Sequence, residues 1–142
     1  MKGSASKVLV DSGPLIALFD ADDAHHRQVL EFLKSFRGSL VTTWPVLTEV
    51  LYMLDFHPRV PVDFLRWVED GGLELFPLEN SQLSRIRELL EKYRDLPSDL
   101  ADVSLLVVSE ETGIDGILSI DSDFSVYRTV TGKPLRNVLL EA

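Results

Sequence analysis

The chain is organised around residues 7–14, which read KVLVDSGP. The segment 7–10 is too apolar to alternate with polar residues and stops at the Ser-Gly-Pro that follows Asp11, so we predict a buried β-strand there. Pro14 suits the first position of a following helix, Leu15–Phe19, because the N–H that proline lacks would be unsatisfied there in any case. Asp11 therefore stands where a strand gives way to a helix.

Strands and helices alternate along the rest of the chain. Apolar and β-branched runs predict strands at Ser39–Thr43, Leu73–Leu78, Ile117–Ile120 and, as a short last one, Val138–Leu140. Apolar residues at helical spacing predict helices at Ala24–Phe36, Pro45–Phe56, Val62–Asp70 and from Asn80 or Ser81 to about Tyr93. This alternation indicates one α/β domain, residues 1–142, with a central and mainly parallel sheet of four to five strands and helices on both faces. Residues 1–6 are expected to form a flexible N-terminus.

The run Val103–Val108 is ambiguous, because its β-branched residues suit a strand as well as a helix. We favour a helix, since Ser98 is a good N-cap residue and acids in the first turn interact favourably with the helix dipole. Asp99 and Asp102 are three residues apart and would then share one face of this helix. Gly113 would end it.

Length and composition bound the class of protein. The 142 residues, of which 45% are hydrophobic, are enough for one domain with a packed core. No apolar run reaches the roughly 18 residues needed to cross a bilayer, and the first residues lack the apolar stretch of a secretion signal, so we expect a cytoplasmic protein with no membrane partner. Because cysteine is absent, a metal could be held only by oxygen or imidazole ligands.

The formal net charge of −9 argues against non-specific binding of nucleic acid through a broad positive surface. This objection weakens if several acids share one pocket and bound cations neutralise them, because the rest of the surface is then less negative than the total implies. A basic partner protein would also suit the charge.

Four acids lie in apolar surroundings. Asp11 and Asp121 follow predicted strands, whereas Asp102 lies in the first turn of a helix and Glu49 in an otherwise apolar helix. Ligands gather at the carboxyl ends of parallel strands, so one rim of the sheet could bring the four together. Carboxylates about 4 Å apart repel each other by roughly 4 kcal/mol, so such a cluster would need protons or cations. An all-oxygen site favours Mg²⁺ or Mn²⁺, which bind phosphates, and this leads to metal-assisted hydrolysis of phosphodiester bonds.

Each of these acids also has a purely structural interpretation. Asp11 could form an Asx turn, and Asp121 and Asp123 could be ordinary turn residues. Asp102 could interact only with the helix dipole. Glu49 has the strongest functional case, because an acid in apolar surroundings is costly and rarely serves packing.

Four segments, in order, are spread along nearly the whole chain: DSGPLIALF at 11–19, TEV at 48–50, DLAD at 99–102 and IDSDF at 120–124. Together they resemble the PIN-domain ribonucleases, with the prokaryotic VapC-type toxins as the nearest group. The resemblance implies a PIN-like fold and an endoribonuclease that depends on Mg²⁺ or Mn²⁺ and acts on RNA. It also implies a homodimer and an antitoxin protein that inserts a segment into the active site.

Carried over position by position, the resemblance assigns the metal-binding and catalytic set to Asp11, Glu49, Asp102 and Asp121. Ser12 matches the hydroxyl that follows the first acid and supports the site by hydrogen bonding. Asp99 and Asp123 are expected to be further supporting groups. The expected mechanism is the attack of a metal-activated water on phosphorus, with metal stabilising the charge on the leaving oxygen.

Two other functions stay open at this point. A PIN-like module that binds RNA or protein without cleaving is compatible with the acidic charge, although intact acids at all four matching positions argue against it. A receiver domain of two-component signalling would use Asp11 and the pair Lys133-Pro134. That interpretation fits poorly, because an acidic pair should end the first strand and no apolar strand directly precedes Lys133.

The remaining candidates for chemistry have simpler interpretations. His25 and His26 are adjacent and would point to different faces of a helix, so we expect solvated surface residues, and His57 is expected in a loop. Trp44 and Trp67 are expected in the core or at an interface. A solvated helix face is expected for the basic residues Arg85, Arg87, Lys92 and Arg94.

Overall fold

The computed structural model describes residues 6–96, 99–120, 124 and 126–141. Five strands form one sheet: Lys7–Val10 (β1), Ser39–Thr42 (β2), Glu74–Leu75 (β3), Gly116–Leu118 (β4) and Arg136–Asn137 (β5). Their order is β3-β2-β1-β4-β5, and every neighbouring pair is parallel. The structure confirms the predicted α/β class and parallel sheet.

The described residues contain seven α-helices: Ser12–Phe19 (α1), His26–Ser35 (α2), Trp44–Met53 (α3), Arg59–Trp67 (α4), Leu83–Lys92 (α5), Leu100–Thr112 (α6) and Val138–Glu141 (α7). From β1 the chain moves to β2 and β3 in one direction, and it then crosses to β4 on the other side of β1. Such crossovers are almost always right-handed, so this change of direction implies that α1 and α2 cover one face of the sheet and that α5 and α6 cover the other. No helix among these residues is long and apolar enough to span a bilayer.

The central strand β1 and the helix α6 form the middle of the core. Leu9 and Val10 are fully buried, and Leu9 lies between Val41 of β2 and Ile117 of β4. Helix α6 buries side chains on most of its circumference. A strand with neighbours on both sides and helices on both faces has no solvent side, which explains why residues 7–10 do not alternate.

The ambiguous run Val103–Val108 is helical, as predicted, but its cap differs from the prediction. Asp99, not Ser98, is the N-cap residue, because the Asp99 carboxylate accepts the N–H of Asp102 at 3.0 Å. Ser98 itself lies outside the described residues. The helix ends at Gly113, whose φ of 81° is the left-handed conformation that glycine adopts at no steric cost.

The predicted last strand, Val138–Leu140, is wrong. These residues belong to α7, and the edge strand β5 lies just before them. The Oδ1 atom of Asn137 accepts the N–H of Leu139 at 3.1 Å, which starts a helical turn at this point. Three β-branched or apolar residues in succession could not reveal that turn.

Two helices begin earlier than predicted, and each contains within its first turn a proline that the prediction placed at or before its start. Helix α1 begins at Ser12, so Pro14 is its third residue and not its first, and α4 begins at Arg59 with Pro61 in the same position. The first four N–H groups of a helix have no partner within it, so proline is tolerated throughout the first turn.

Other boundaries moved by a few residues. Helix α2 begins at His26, β3 keeps only two residues of the predicted Leu73–Leu78, and Glu79 caps a 3₁₀ turn, Asn80–Gln82, before α5. Within the predicted flexible N-terminus, residues 1–5 lie outside the described residues. The carbonyl of Ser6 accepts the N–H of Ser39 at 2.8 Å.

Helix α3 is less buried than its apolar sequence suggests. Val46 and Val50 lie in the core, but Trp44 is 61% exposed and Tyr52 is 81% exposed. Trp44 therefore lies outside the core. Trp67, by contrast, packs against core rings, with its ring centroid 5.4 Å from that of Phe19.

Candidate active site

The crevice between the carboxyl ends of β1 and β4 is the point at which the strand order reverses direction. Open α/β sheets bind ligands in such a crevice, because the loops on its two sides diverge and leave room. Asp11 follows β1 directly, and Ser119 follows β4. The fold therefore places the first predicted acid where this architecture normally carries its chemistry.

The Asp11 carboxylate is buried and held at both oxygens. Its Oδ1 accepts the N–H of Ser12 at 2.8 Å, which makes Asp11 the N-cap residue of α1, and its Oδ2 accepts the hydroxyl of Ser119 at 3.2 Å. The structural interpretation of Asp11 as a turn-forming acid is thus correct locally. It does not exclude chemistry, because these bonds also fix the orientation of the carboxylate.

Glu49 extends from α3 toward the same crevice and is half-buried. Burial, a hydrogen bond with Asp99 and repulsion from Asp99 and Asp11 raise the pKa of Glu49 from its ordinary value of 4.5 to about 7. Contact with the Ser12 hydroxyl acts in the opposite direction. Glu49 therefore lies among three of the other predicted site residues.

Asp102 lies in the first turn of α6. Burial, followed by repulsion from Asp11 and Asp99, raises the pKa of Asp102 from its ordinary value of 3.8 to about 7. Two donors stabilise its charged form: the Tyr127 hydroxyl, 3.3 Å from Oδ2, and the backbone N–H of Asp99. The Asp99 carboxylate in turn accepts the N–H of Asp102 at 3.0 Å and caps the first turn of α6.

The structure thus brings together five of the seven predicted site residues: Asp11, Ser12, Glu49, Asp99 and Asp102. The other two, Asp121 and Asp123, lie outside the described residues. In the sequence Asp121 directly follows Ile120 and Asp123 comes two residues later, and the roles of both acids stay predictions.

The chemistry of the cluster fits a divalent cation. In the described part of the chain, no Lys or Arg forms a salt bridge with Glu49, Asp99 or Asp102. Burial and, after it, repulsion from neighbouring acids raise the pKa of Glu49 and of Asp102 to about 7, and a bound cation would stabilise their charged forms. The atoms that these acids offer to a metal are all oxygens, which suits Mg²⁺ or Mn²⁺. Within residues 6–96, 99–120, 124 and 126–141, no three acids or histidines are close enough to form a finished ligand set.

Two clefts flank the acids. One of about 400 Å³ is lined by Asp11, Ser12, Ile16, His25 and Met53, among others. The other, of about 420 Å³, is lined by Trp44, Thr48, Glu49, Asp99 and Leu100, among others. A larger cavity of about 770 Å³ includes Ser39 and Glu74, the first residues of β2 and β3, so it lies at the amino ends of the strands and away from the acids.

Several other predictions for polar residues can be compared with their contacts. The His26 ring contacts the carbonyl of Ala17 at 2.7 Å and links α2 to α1, so its assignment as a solvated residue is wrong. His57 lies in the turn before α4, as predicted. Arg85 is not simply solvated, because it forms two hydrogen bonds of 2.8 and 2.7 Å with Glu110. The other three basic residues of this segment, Arg87, Lys92 and Arg94, are exposed as predicted.

Two hydroxyls at the site were not predicted. Ser119 has a weak signal in the sequence, since it lies two residues before Asp121 at a strand end. Tyr127 has none, because its contact with Asp102 joins a loop to a helix 25 residues earlier in the chain.

Comparison with known proteins gives a consistent result. The family model of the PIN domain matches residues 8–129. Ribonuclease VapC26 of Mycobacterium tuberculosis is 28% identical over 130 residues, which cover 88% of this chain and 95% of the relative. The crystal structure of Mycobacterium tuberculosis VapC20, a Sarcin-Ricin loop cleaving toxin, has a TM-score of 0.77 and 21% identity, and the match covers 89% of this chain and 99% of that one. The last similarity shows a common fold.

Proposed function

The chain belongs to the PIN-domain family, and from this membership we propose that it is an endoribonuclease that hydrolyses RNA phosphodiester bonds with the help of Mg²⁺ or Mn²⁺. The observation that carries the proposal is the convergence of Asp11, Glu49, Asp99 and Asp102, two of which have pKa values raised to about 7 by burial and mutual repulsion. The similarity to a ribonuclease over most of both chains supports it. Residues 1–142 would form one PIN-like domain.

We assign the binding of the metal to Asp11, Glu49, Asp102 and Asp121, with Ser12, Asp99 and Asp123 in support. A bound Mg²⁺ or Mn²⁺ would supply a Lewis acid that activates water for attack on phosphorus and stabilises the charge on the leaving oxygen. The chain orients the carboxylates beforehand, because Ser119 and the Ser12 N–H hold Asp11 while Tyr127 and the Asp99 N–H hold Asp102. Preorganised acids need no rearrangement when substrate binds.

The test of this function is a cleavage assay on the full chain. Fluorescent single-stranded and tRNA-like RNAs are incubated with Mn²⁺, with Mg²⁺ or with EDTA, beside the variant Asp11→Asn. Asp63→Asn is the matched control, since Asp63 lies on the exposed side of α4 and pairs with Arg59 at 3.3 Å. We expect cleavage only with metal, lost in Asp11→Asn and retained in the control. Cleavage that is indifferent to metal or survives Asp11→Asn would refute the mechanism.

The alternative function, a PIN-like module that binds RNA or protein without cleaving, predicts binding with no cleavage under any of these conditions. The acids argue against it, because a binding module has no need of several unneutralised carboxylates in one crevice. The net charge of −9 is compatible with RNA cleavage if cations occupy this crevice.

We further propose that the protein is the toxin of a toxin–antitoxin pair and acts in the cytoplasm as a homodimer. VapC20 is described as a toxin, and VapC26 shares the VapC name, which supports the first point. Exposed apolar side chains between α3 and the end of α4, among them Phe56, Val62 and Leu65, offer surface for protein contacts. Light scattering tests the dimer against the chain mass of 16.0 kDa. Inhibition of cleavage by the product of an adjacent short reading frame tests the antitoxin.

A further inference from the structure

Tyr127 brings a buried phenol to Asp102. The residue is 0% exposed, and its hydroxyl donates to Asp102 Oδ2 at 3.3 Å. A phenylalanine would fill the same space without a hydroxyl, and a buried hydroxyl lowers stability unless it forms hydrogen bonds. Packing alone therefore does not explain why this residue is a tyrosine.

The ring of Tyr127 is held by contacts that do not depend on Asp102. It packs edge-on against Tyr93 and Phe124, with ring centroids 5.0 and 5.3 Å away. The next residue is also fixed, because the N–H of Arg128 donates to the Tyr93 hydroxyl at 2.7 Å. Tyr93 follows α5 directly, and α5 packs against α6. The phenol therefore has a set place relative to the helix that carries Asp102.

Asp102 is consequently held by donors from two distant parts of the chain. Within α6 the backbone N–H of Asp99 stabilises the Asp102 carboxylate, and from the loop after β4 the Tyr127 hydroxyl bonds its Oδ2. We propose that Tyr127 is a positioning residue: its phenol holds the Asp102 carboxylate in the orientation in which it faces Asp11 and binds a divalent cation. The inference rests on the proposed metal-dependent function. Groups that orient a metal-binding side chain typically change metal affinity or activity by roughly 10- to 100-fold when they are removed.

The experiment uses the full chain and Mn²⁺ alone. The affinity for Mn²⁺ is measured from the electron paramagnetic resonance signal of the free ion for the wild type, Tyr127→Phe and the control Tyr52→Phe. Tyr52 is 81% exposed, so its variant matches the chemical change away from the site. We expect Mn²⁺ binding roughly 10- to 100-fold weaker in Tyr127→Phe and unchanged in the control. In RNA cleavage by Tyr127→Phe, saturating Mn²⁺ should restore most of the lost kcat. The KM for RNA should equal that of the wild type.

A double variant separates positioning from general loosening. If Tyr127 acts through Asp102, adding Tyr127→Phe to Asp102→Asn changes the Mn²⁺ affinity by less than about twofold. If the double variant lost Mn²⁺ affinity by the same factor as the single variant Tyr127→Phe does, the inference would be overturned. Wild-type Mn²⁺ affinity in Tyr127→Phe would also overturn it. Loss of the near-ultraviolet circular dichroism signal in Tyr127→Phe would also overturn it, because the Tyr127 hydroxyl would then be required for tertiary packing.

The same measurements distinguish the inference from the proposed function. A wild type that binds Mn²⁺ and cleaves RNA, beside a Tyr127→Phe variant of equal affinity, refutes the inference alone. A wild type that binds no Mn²⁺ refutes the metal-dependent function and the inference together.

Discussion

Thr43 and Ser104 join α3 to α6 through a buried hydrogen bond of 2.7 Å between their hydroxyls. The Ser104 hydroxyl itself donates to the carbonyl of Ala101 at 2.7 Å, so Thr43 is the donor in the bond between helices. Both side chains are fully buried. The bond therefore sets the spacing between the helix that carries Glu49 and the helix that carries Asp102.

Replacing Ser104 should destabilise the protein through this bond. Ser104→Ala leaves the Thr43 hydroxyl without its acceptor in the core, and we expect a loss of about 1 to 3 kcal/mol in the free energy of unfolding. The double variant with Thr43→Val should cost less than the sum of the single variants, because it removes both partners. Urea unfolding in EDTA measures these values, with Ser35→Ala, at an exposed position, as the control. Strict additivity would contradict the role assigned to the pair.

Ser119→Ala should weaken the metal site more than the fold. Ser119 is 0% exposed and bonds Asp11 Oδ2 from the end of the neighbouring strand. Its loss removes this hydrogen bond and loosens the orientation of the acid, so we expect Mn²⁺ affinity to fall roughly tenfold or more. The free energy of unfolding should fall by about 1 kcal/mol. Ser84→Ala, on the exposed side of α5, is the control, and equal Mn²⁺ affinities in the three proteins would disprove the prediction.

The metal-free protein should lose stability as the pH rises from about 5 to about 8. The pKa values of Glu49 and Asp102 lie near 7 in the folded protein, above their ordinary values of 4.5 and 3.8, because burial and neighbouring acids disfavour the charged forms. The folded state therefore binds more protons than the unfolded state over this interval, and that stabilisation disappears as the pH passes 7. Melting temperatures in EDTA at constant ionic strength measure the trend. A higher melting temperature at the alkaline end would contradict it.

Bound Mn²⁺ should counteract this loss of stability at high pH. Cation binding requires charged carboxylates, so millimolar Mn²⁺ should raise the melting temperature more at about pH 8 than at about pH 5. The variant Asp11→Asn should show little or no shift at either pH. Ca²⁺-free buffers and a matched EDTA series provide the baseline. Equal shifts at both pH values would point to binding elsewhere on the acidic surface.

Glu49→Gln should make the metal-free protein more stable while it abolishes cleavage. The amide carries no charge in a half-buried position beside Asp99 and Asp11, so repulsion and desolvation are both relieved. We expect the melting temperature in EDTA at about pH 8 to rise by about 2 to 4 °C. Glu31→Gln, which breaks only an exposed ion pair with Lys34, should have almost no effect. A lower melting temperature in Glu49→Gln would show that the acid stabilises the fold.

Prediction from the sequence succeeded where local chemistry decides the structure. The strand Lys7–Val10 was predicted with its observed bounds, and the ambiguous run Val103–Val108 was correctly assigned to a helix. It failed where a single side chain redirects the backbone, as Asn137 does before α7. It left the place of Trp44 open between the core and an interface, since an apolar sequence does not reveal which face of α3 is exposed, and the structure excludes the core.

By itself, the sequence determined the parallel α/β fold and identified the acids as candidate site residues. Periodicity, caps and isolated charges in apolar runs are local properties of the chain. Only the tertiary structure decided which groups meet. Asp11 and Ser119 are 108 residues apart, and Asp102 and Tyr127 are 25 residues apart. Their contacts follow from the pairing of β1 with β4 and the packing of α5 on α6, and the raised pKa values of Glu49 and Asp102 exist only after those elements have excluded water from the crevice.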